Sequence, residues 1–206
     1  MIFAAQSLYL PLNRLLTGGT LLKIPLDDLI PLRPEWAVVY LLWIPGWLFC
    51  YTSATWKMDD RLFRKFFTAT LAVILTSMVF YVVFPTYVER PTITGSGWAA
   101  DLLRFVYRSD GLYNAFPSGH IYITTLVALF YSRWFPRSWW AWVVIVIMMS
   151  LSTLFTGQHY ALDPLGGIAV AVLGYLFASW ITELDDGRQT ARTARRRHTP
   201  RKTTAA

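Results

Sequence analysis

The sequence predicts an all-α membrane protein, a polytopic bundle of five to six transmembrane helices. Composition is the first reason: 55% of the 206 residues are hydrophobic and only 15% are charged, against about 25% charged in a soluble domain. Segregation is the second. The charged residues lie between several long uncharged runs rather than within them.

Taken in order, residues 1–16 are apolar but interrupted by Pro11, Asn13 and Arg14. They read as an interfacial or re-entrant helix, or as the remnant of a sixth span. No basic stretch precedes them as it would in a secretory leader. Five runs follow, at residues 36–55, 66–84, 120–135, 138–157 and 164–182. A span takes about 20 apolar residues, with a range of about 17 to 25, so the third is short. Pro45-Gly46 predicts a bend in the first, because proline removes a rung of the helical ladder. Trp and Tyr gather at several run ends, where amphipathic rings suit the membrane interface.

The net charge of +7 belongs to the end of the chain. Residues 188–206 contain Arg188, Arg192, Arg195, Arg196, Arg197, Arg201 and Lys202 and no acid, while residues 1–187 balance 12 basic against 12 acidic groups. The chain therefore divides into a membrane domain, residues 1–187, and a basic tail, residues 188–206, with the composition of disorder. Retention on the cytoplasmic side and attraction to anionic lipid account for such a tail, and nucleic acid is not an expected partner. The lone Cys50 carries no redox information. Lys57, Arg61, Arg64 and Lys65 follow the first span, Arg133 stands in the last residues of the third and Arg137 just after it. With each run crossing once, both groups and the tail share one side, which the positive-inside rule assigns to the cytoplasm. Connections 85–119 and 158–163 then face outward, in a multi-pass protein of the cell membrane.

Three clusters in or beside those outer connections carry chemistry: Arg90-Pro91, Pro117-Ser118-Gly119-His120, and His159 followed by Asp163. Ionisable groups at membrane depth are expensive and mark function. An arginine fork matches phosphate oxygens. Ser118, Gly119 and His120 at a helix start offer backbone N–H groups at the positive end of a helix dipole. Two histidines can divide the work of attack at phosphorus and protonation of the leaving oxygen. Asp163 can hold an imidazole tautomer. Plainer roles exist for each residue. Ser118 suits a helix N-cap; Asp163 before Pro164 suits a helix start, joined to His159 by a turn. Asp59 and Asp60 suggest magnesium but fall on the opposite side and read as solvated charges. No metal or other cofactor is expected.

Together the clusters resemble the three-part signature of the type 2 phosphatidic acid phosphatase superfamily, K-x6-R-P, P-S-G-H and S-R-x5-H-x3-D, over residues 84–167. The superfamily includes lipid phosphate phosphatases, undecaprenyl diphosphate phosphatases and vanadium haloperoxidases. The resemblance implies six helices with the motifs outside the cytoplasm. It implies His159 as the nucleophile forming a phosphohistidine, Asp163 as its orienting partner and His120 as the general acid. Arg90, Ser118 and Gly119 would cradle the phosphate. The chain departs from the signature at Val83, where the lysine would fall, and at Thr153, where the second arginine would fall; Ser152 is retained. Arg104 and Arg108 are the expected compensating cations, with Lys23 and Arg33 behind them and Tyr160 as a further supporting residue. The stretches 113–118 and 157–160, with 27–31 upstream, resemble the inositol phosphorylceramide synthase branch, although that branch often has Leu at the position of Gly119. The expected function is hydrolysis of a membrane-lipid phosphate or diphosphate. Transfer of a phospho-head group to an acceptor alcohol is the first alternative, and non-catalytic lipid or anion binding the second.

Overall fold

The computed structural model describes Asn13 and residues 18–198, with side chains as far as Arg188. Six α-helices dominate the described residues: α1 (Ala37–Lys57), α2 (Asp60–Val83), α3 (Trp98–Ser109), α4 (Gly119–Trp134), α5 (Trp139–Phe155) and α6 (Leu162–His198). Sheet among the described residues is confined to a parallel pair, β1 (Thr20–Leu21) beside β2 (Thr86–Tyr87). The all-α membrane bundle is the observed fold class.

Among the described residues four helical segments are long and apolar enough to cross a bilayer, Pro34–Lys57, Asp60–Val83, Pro136–Phe155 and Leu162–Arg188. The third expected span, α4, falls short of the others at 16 residues, or about 24 Å at 1.5 Å per residue. Its residues from Ile121 to Ala128 are all buried, as befits a helix apolar on every side. Helices α1, α2, α5 and α6 pack around it. The expected segment at residues 1–16 lies outside the described residues apart from Asn13. Helix α6 continues to His198, into the segment whose composition predicts disorder. Ala, Arg and Gln are good helix formers and extend the helix begun in the bundle. Residues 199–206 lie outside the described part.

Local sequence explains the turns. Asp59 ends the α1–α2 connection by accepting the Leu62 N–H at 2.9 Å, an N-cap for α2. Helix α2 buries Phe66, Ala69, Thr70, Val73, Ile74, Ser77 and Tyr81, a stripe at helical spacing. It leaves Leu75, Val79 and Val82 outward, matched by Leu42 and Phe49 on α1 and by Leu173 and Phe177 on α6. These are apolar surfaces that lipid would cover. Inside, Phe66, Phe130 and Tyr175 pack edge to face or tilted around α4.

One end of the bundle gathers the start of α1, the end of α2, the start of α4, the end of α5 and the start of α6. Arg33 N–H donates to the Phe155 carbonyl at 2.8 Å, and Thr20 N–H to that of Pro85 at 2.8 Å, tying the preceding segment to this end. Helix α3 also lies here, with Ala100, Leu103 and Val106 buried and Trp98 and Phe105 exposed. At the other end Arg61 pairs with Asp186 at 2.7 Å and Lys65 with Glu183 at 3.6 Å.

Candidate active site

The turn between α5 and α6 is folded tightly. The N–H groups of Gln158 and His159 both donate to the Thr153 carbonyl, at 3.0 and 3.2 Å. Gly157 turns the chain in the left-handed region, φ 62°, and an added Cβ would stand 2.7 Å from Pro91. Asp163 closes the turn: its Oδ2 accepts the Tyr160 N–H at 2.9 Å. The same oxygen lies 3.2 Å from His159 Nδ1. The carboxylate is fully buried and the imidazole nearly so, at 0% and 8% exposure. The pair is thus joined by a turn, not stacked on one helix.

The Pro117-Ser118 corner meets this turn from the other side. Tyr81 OH donates to the Pro117 carbonyl at 2.8 Å, and Ser118 N–H donates to the Asp163 carbonyl at 3.1 Å. Gly167 lets α6 approach: a Cβ there would stand 2.8 Å from the Ser118 carbonyl oxygen. Ser118 Oγ then lies 3.1 Å from His159 Nε2. Asp163, His159 and Ser118 form one continuous line. With Nδ1–H donated to Asp163, Nε2 holds the lone pair and accepts from the serine hydroxyl. Gly119 and His120 open α4, so their N–H groups have no carbonyl a turn earlier in the helix.

His120 sits across from His159, ring centroids 6.1 Å apart. Its ring packs on Tyr40 at 4.2 Å and faces Trp47 at 5.4 Å. The two histidines, Asp163, Ser118 and Gly119 are therefore brought together as expected.

Arg90 meets acceptors of the protein itself. Its Nη1 donates to the carbonyls of Tyr107 and Asp110 at 2.9 and 3.1 Å, and its Nη2 donates to the carbonyl of Gly111 and to Gln158 Oε1. The guanidinium lies 4.7 Å over the Tyr107 ring. All four Nη hydrogens go to acceptors of the protein, which leaves none for a phosphate in this conformation. Burial pushes the Tyr107 phenol up to about 12, although the charge of Arg90 opposes the shift.

The expected compensating arginines are not at the site. Arg104 pairs with Asp101 at 2.8 Å and reaches the Gly95 carbonyl at 2.6 Å; Arg108 Nε donates to the Arg104 carbonyl at 3.2 Å. Both stand off the buried face of α3. A cavity of about 290 Å³ beside His159 is instead lined by Lys23, Asp27, Asp28, Glu89 and Tyr160, among others. Lys23 is the only Lys or Arg among its described lining residues. It is ion-paired with Asp28, which raises its pKa and keeps it charged. The Tyr160 hydroxyl accepts from Glu89 N–H at 3.1 Å. Of the departed signature positions, Val83 is 76% exposed on the outside of α2. Thr153 is buried, its hydroxyl donating to the Ser150 carbonyl.

Asp27 was visible in the sequence only as part of a resembling stretch. Its Oδ1 accepts the Ala161 N–H at 2.7 Å and its Oδ2 the Ile24 N–H at 2.8 Å. It fastens the segment before α1 onto the His159–Asp163 turn. Gln158, the partner of Arg90, was likewise visible only as part of the resembling stretch 157–160.

Parts of the chain are similar to known proteins. Over 67 residues the chain is 30% identical to the bacitracin transport permease protein BcrC of Bacillus licheniformis, which covers 32% of this chain and 33% of that protein. Over 70 residues it is 34% identical to the inositol phosphorylceramide synthase catalytic subunit aur1 of Schizosaccharomyces pombe, 34% of this chain and 17% of that protein. The chain thus spans a third or less of the length of these relatives. No solved structure matches it. The profile of the PAP2 superfamily matches residues 26–177. That stretch takes in Asp27, Arg90, Ser118, His120, His159 and Asp163, and by it the chain belongs to the PAP2 superfamily.

Proposed function

We propose that the protein is a multi-pass membrane enzyme that hydrolyses the phosphate or diphosphate of a membrane lipid through a phosphohistidine at His159. The observation that carries this reading is the buried line from Asp163 through His159 to Ser118, with His120 facing it.

The chemistry follows from the proton positions. A phosphate entering beside His159 takes the Ser118 hydroxyl as donor, which frees the Nε2 lone pair. The N–H groups at the start of α4 and the dipole behind them favour the anion, and Lys23 adds charge from the cavity. Nε2 attacks phosphorus as the bond to the lipid oxygen breaks, and His120 gives that oxygen its proton. Asp163 keeps Nδ1–H and balances the charge that develops on the ring. In the second step water attacks the phosphohistidine, His120 takes the proton, and the P–N bond breaks. No step calls for a metal. The basic residues at the opposite end support a cytoplasmic location for that end and for the tail, and an extracytoplasmic site.

A second reading replaces water with an alcohol. The likeness to an inositol phosphorylceramide synthase subunit favours it, and the cavity beside His159 has room for more than water, whose share of liquid volume is about 30 Å³. Phosphate release from a panel of lipid phosphates, with and without an acceptor alcohol, separates the two. Release to water supports the phosphatase, turnover only with acceptor supports the transferase, and silence in both contradicts an enzyme.

A further inference from the structure

We propose that Tyr40 and Asp110 are positioning residues for His120, forming a second orienting unit opposite the His159–Asp163 pair. The inference rests on the reading of His120 as the general acid. Tyr40 comes from α1 and is 3% exposed. Its hydroxyl donates to Asp110 Oδ2 at 2.8 Å, and the Tyr40 hydroxyl oxygen itself lies 3.4 Å from His120 Nδ1.

The proton count decides the direction of this chain. A phenol has one proton, and here the carboxylate takes it. The Tyr40 oxygen can then serve His120 only as an acceptor, so Nδ1 must carry the hydrogen. The contact is long, as catalytic hydrogen bonds often are before substrate binds. Packing of the ring against Tyr40 and Trp47 restricts its rotation. Nε2 is left as the nitrogen that exchanges a proton with substrate. In the first step the Nε2 proton moves to the leaving oxygen as the P–O bond breaks, while Nδ1 keeps its hydrogen, donated to the Tyr40 oxygen. The neutral ring then accepts a proton at Nε2 from the attacking water.

Asp110 is itself held from several directions. Its Oδ1 accepts the Gly111 N–H at 3.0 Å and Asn13 Nδ2 at 3.2 Å. Its main-chain carbonyl is one of the four acceptors of Arg90. The arginine clamp thus fixes the turn that aims the carboxylate at Tyr40. A buried tyrosine hydroxyl needs some partner in any protein. A carboxylate on one side of it and a site histidine on the other is a more particular arrangement, and it makes a particular prediction.

A general acid matters most when the leaving group is a poor one. An alkoxide must be protonated as it leaves; a 4-nitrophenolate need not be. The test is kcat/KM for an alkyl phosphate ester and for 4-nitrophenyl phosphate, in the full-length protein and in its Tyr40→Phe, Asp110→Asn and His120→Ala variants. This parameter covers the steps through formation of the P–N bond, so slow hydrolysis of the intermediate cannot mask the effect. Tyr40→Phe and Asp110→Asn are expected to lose about tenfold on the alkyl ester beyond their loss on the aryl ester, a part of the about 10² to 10⁴ that general acid catalysis as a whole contributes. His120→Ala should show the larger bias. Equal losses on both esters in Tyr40→Phe and Asp110→Asn, with the bias present in His120→Ala, overturn the positioning role alone. Absence of bias in His120→Ala overturns the acid assignment and this inference with it. Two substitutions at separate elements guard against a folding defect in either.

Discussion

The two histidines reach their carboxylates by different routes. His159 takes Asp163 from its own turn, four residues along the chain and 3.2 Å away. His120 reaches Asp110 only through Tyr40, which requires α1, the end of α3 and the start of α4 to meet. The first arrangement survives as long as one turn keeps its shape. The second depends on packing between separate elements, and on Arg90 holding the chain at residues 107–111. A short polar pair is therefore hard to disturb from a distance, whereas the relay can be broken by changes that touch neither histidine.

Breaking the local pair should have the largest effect. Asp163→Asn keeps the shape but reverses the hydrogen-bond demand on Nδ1, and kcat should fall by about 10³- to 10⁴-fold, by analogy with the orienting aspartate of hydrolytic triads. A loss under tenfold would mean that Asp163 serves the turn rather than the imidazole. Arg90→Lys should come next. Lysine keeps the charge but cannot reproduce the fork, and each buried carbonyl left without its donor costs about 1 to 3 kcal/mol. The expected result is a lower Tm and a preferential loss on the alkyl ester. A raised KM with an unchanged Tm would instead restore Arg90 to direct phosphate binding. The smallest effect belongs to Lys23→Gln, which leaves both histidine units intact. Its side chain is partly exposed, so solvent weakens its contribution; KM should rise about three- to tenfold with little change in kcat.

The same contrast explains how much could be read beforehand. Helices α1, α2, α5 and α6 were legible because a bilayer demands length and apolarity together, and both are written along the chain. The P-S-G-H corner and the His159–Asp163 spacing were legible because they are local. Helix α3 was not legible within the connection 85–119, though Ala100, Leu103 and Val106 recur every three residues. Its length falls well below a span, and its polar face hid the pattern. The contacts of Tyr40, Asp110 and Asp27 were not legible, since their partners lie 80, 70 and 134 residues away in sequence. Arg90 was legible as a site residue but not in its contacts. An arginine fork suits phosphate oxygens and backbone carbonyls alike, and the carbonyls it meets, those of Tyr107, Asp110 and Gly111, are set by where α3 ends.

The central claim is that His159 becomes covalently phosphorylated. The most direct measurement is to quench turnover of a lipid carrying labelled phosphate and locate the label on the protein by mass spectrometry under alkaline conditions, which preserve phosphohistidine. The account predicts label on His159 alone, appearing before phosphate is released and chased away by water or an acceptor alcohol. Label on another side chain, or steady turnover with no labelled protein at any quench time, would contradict it.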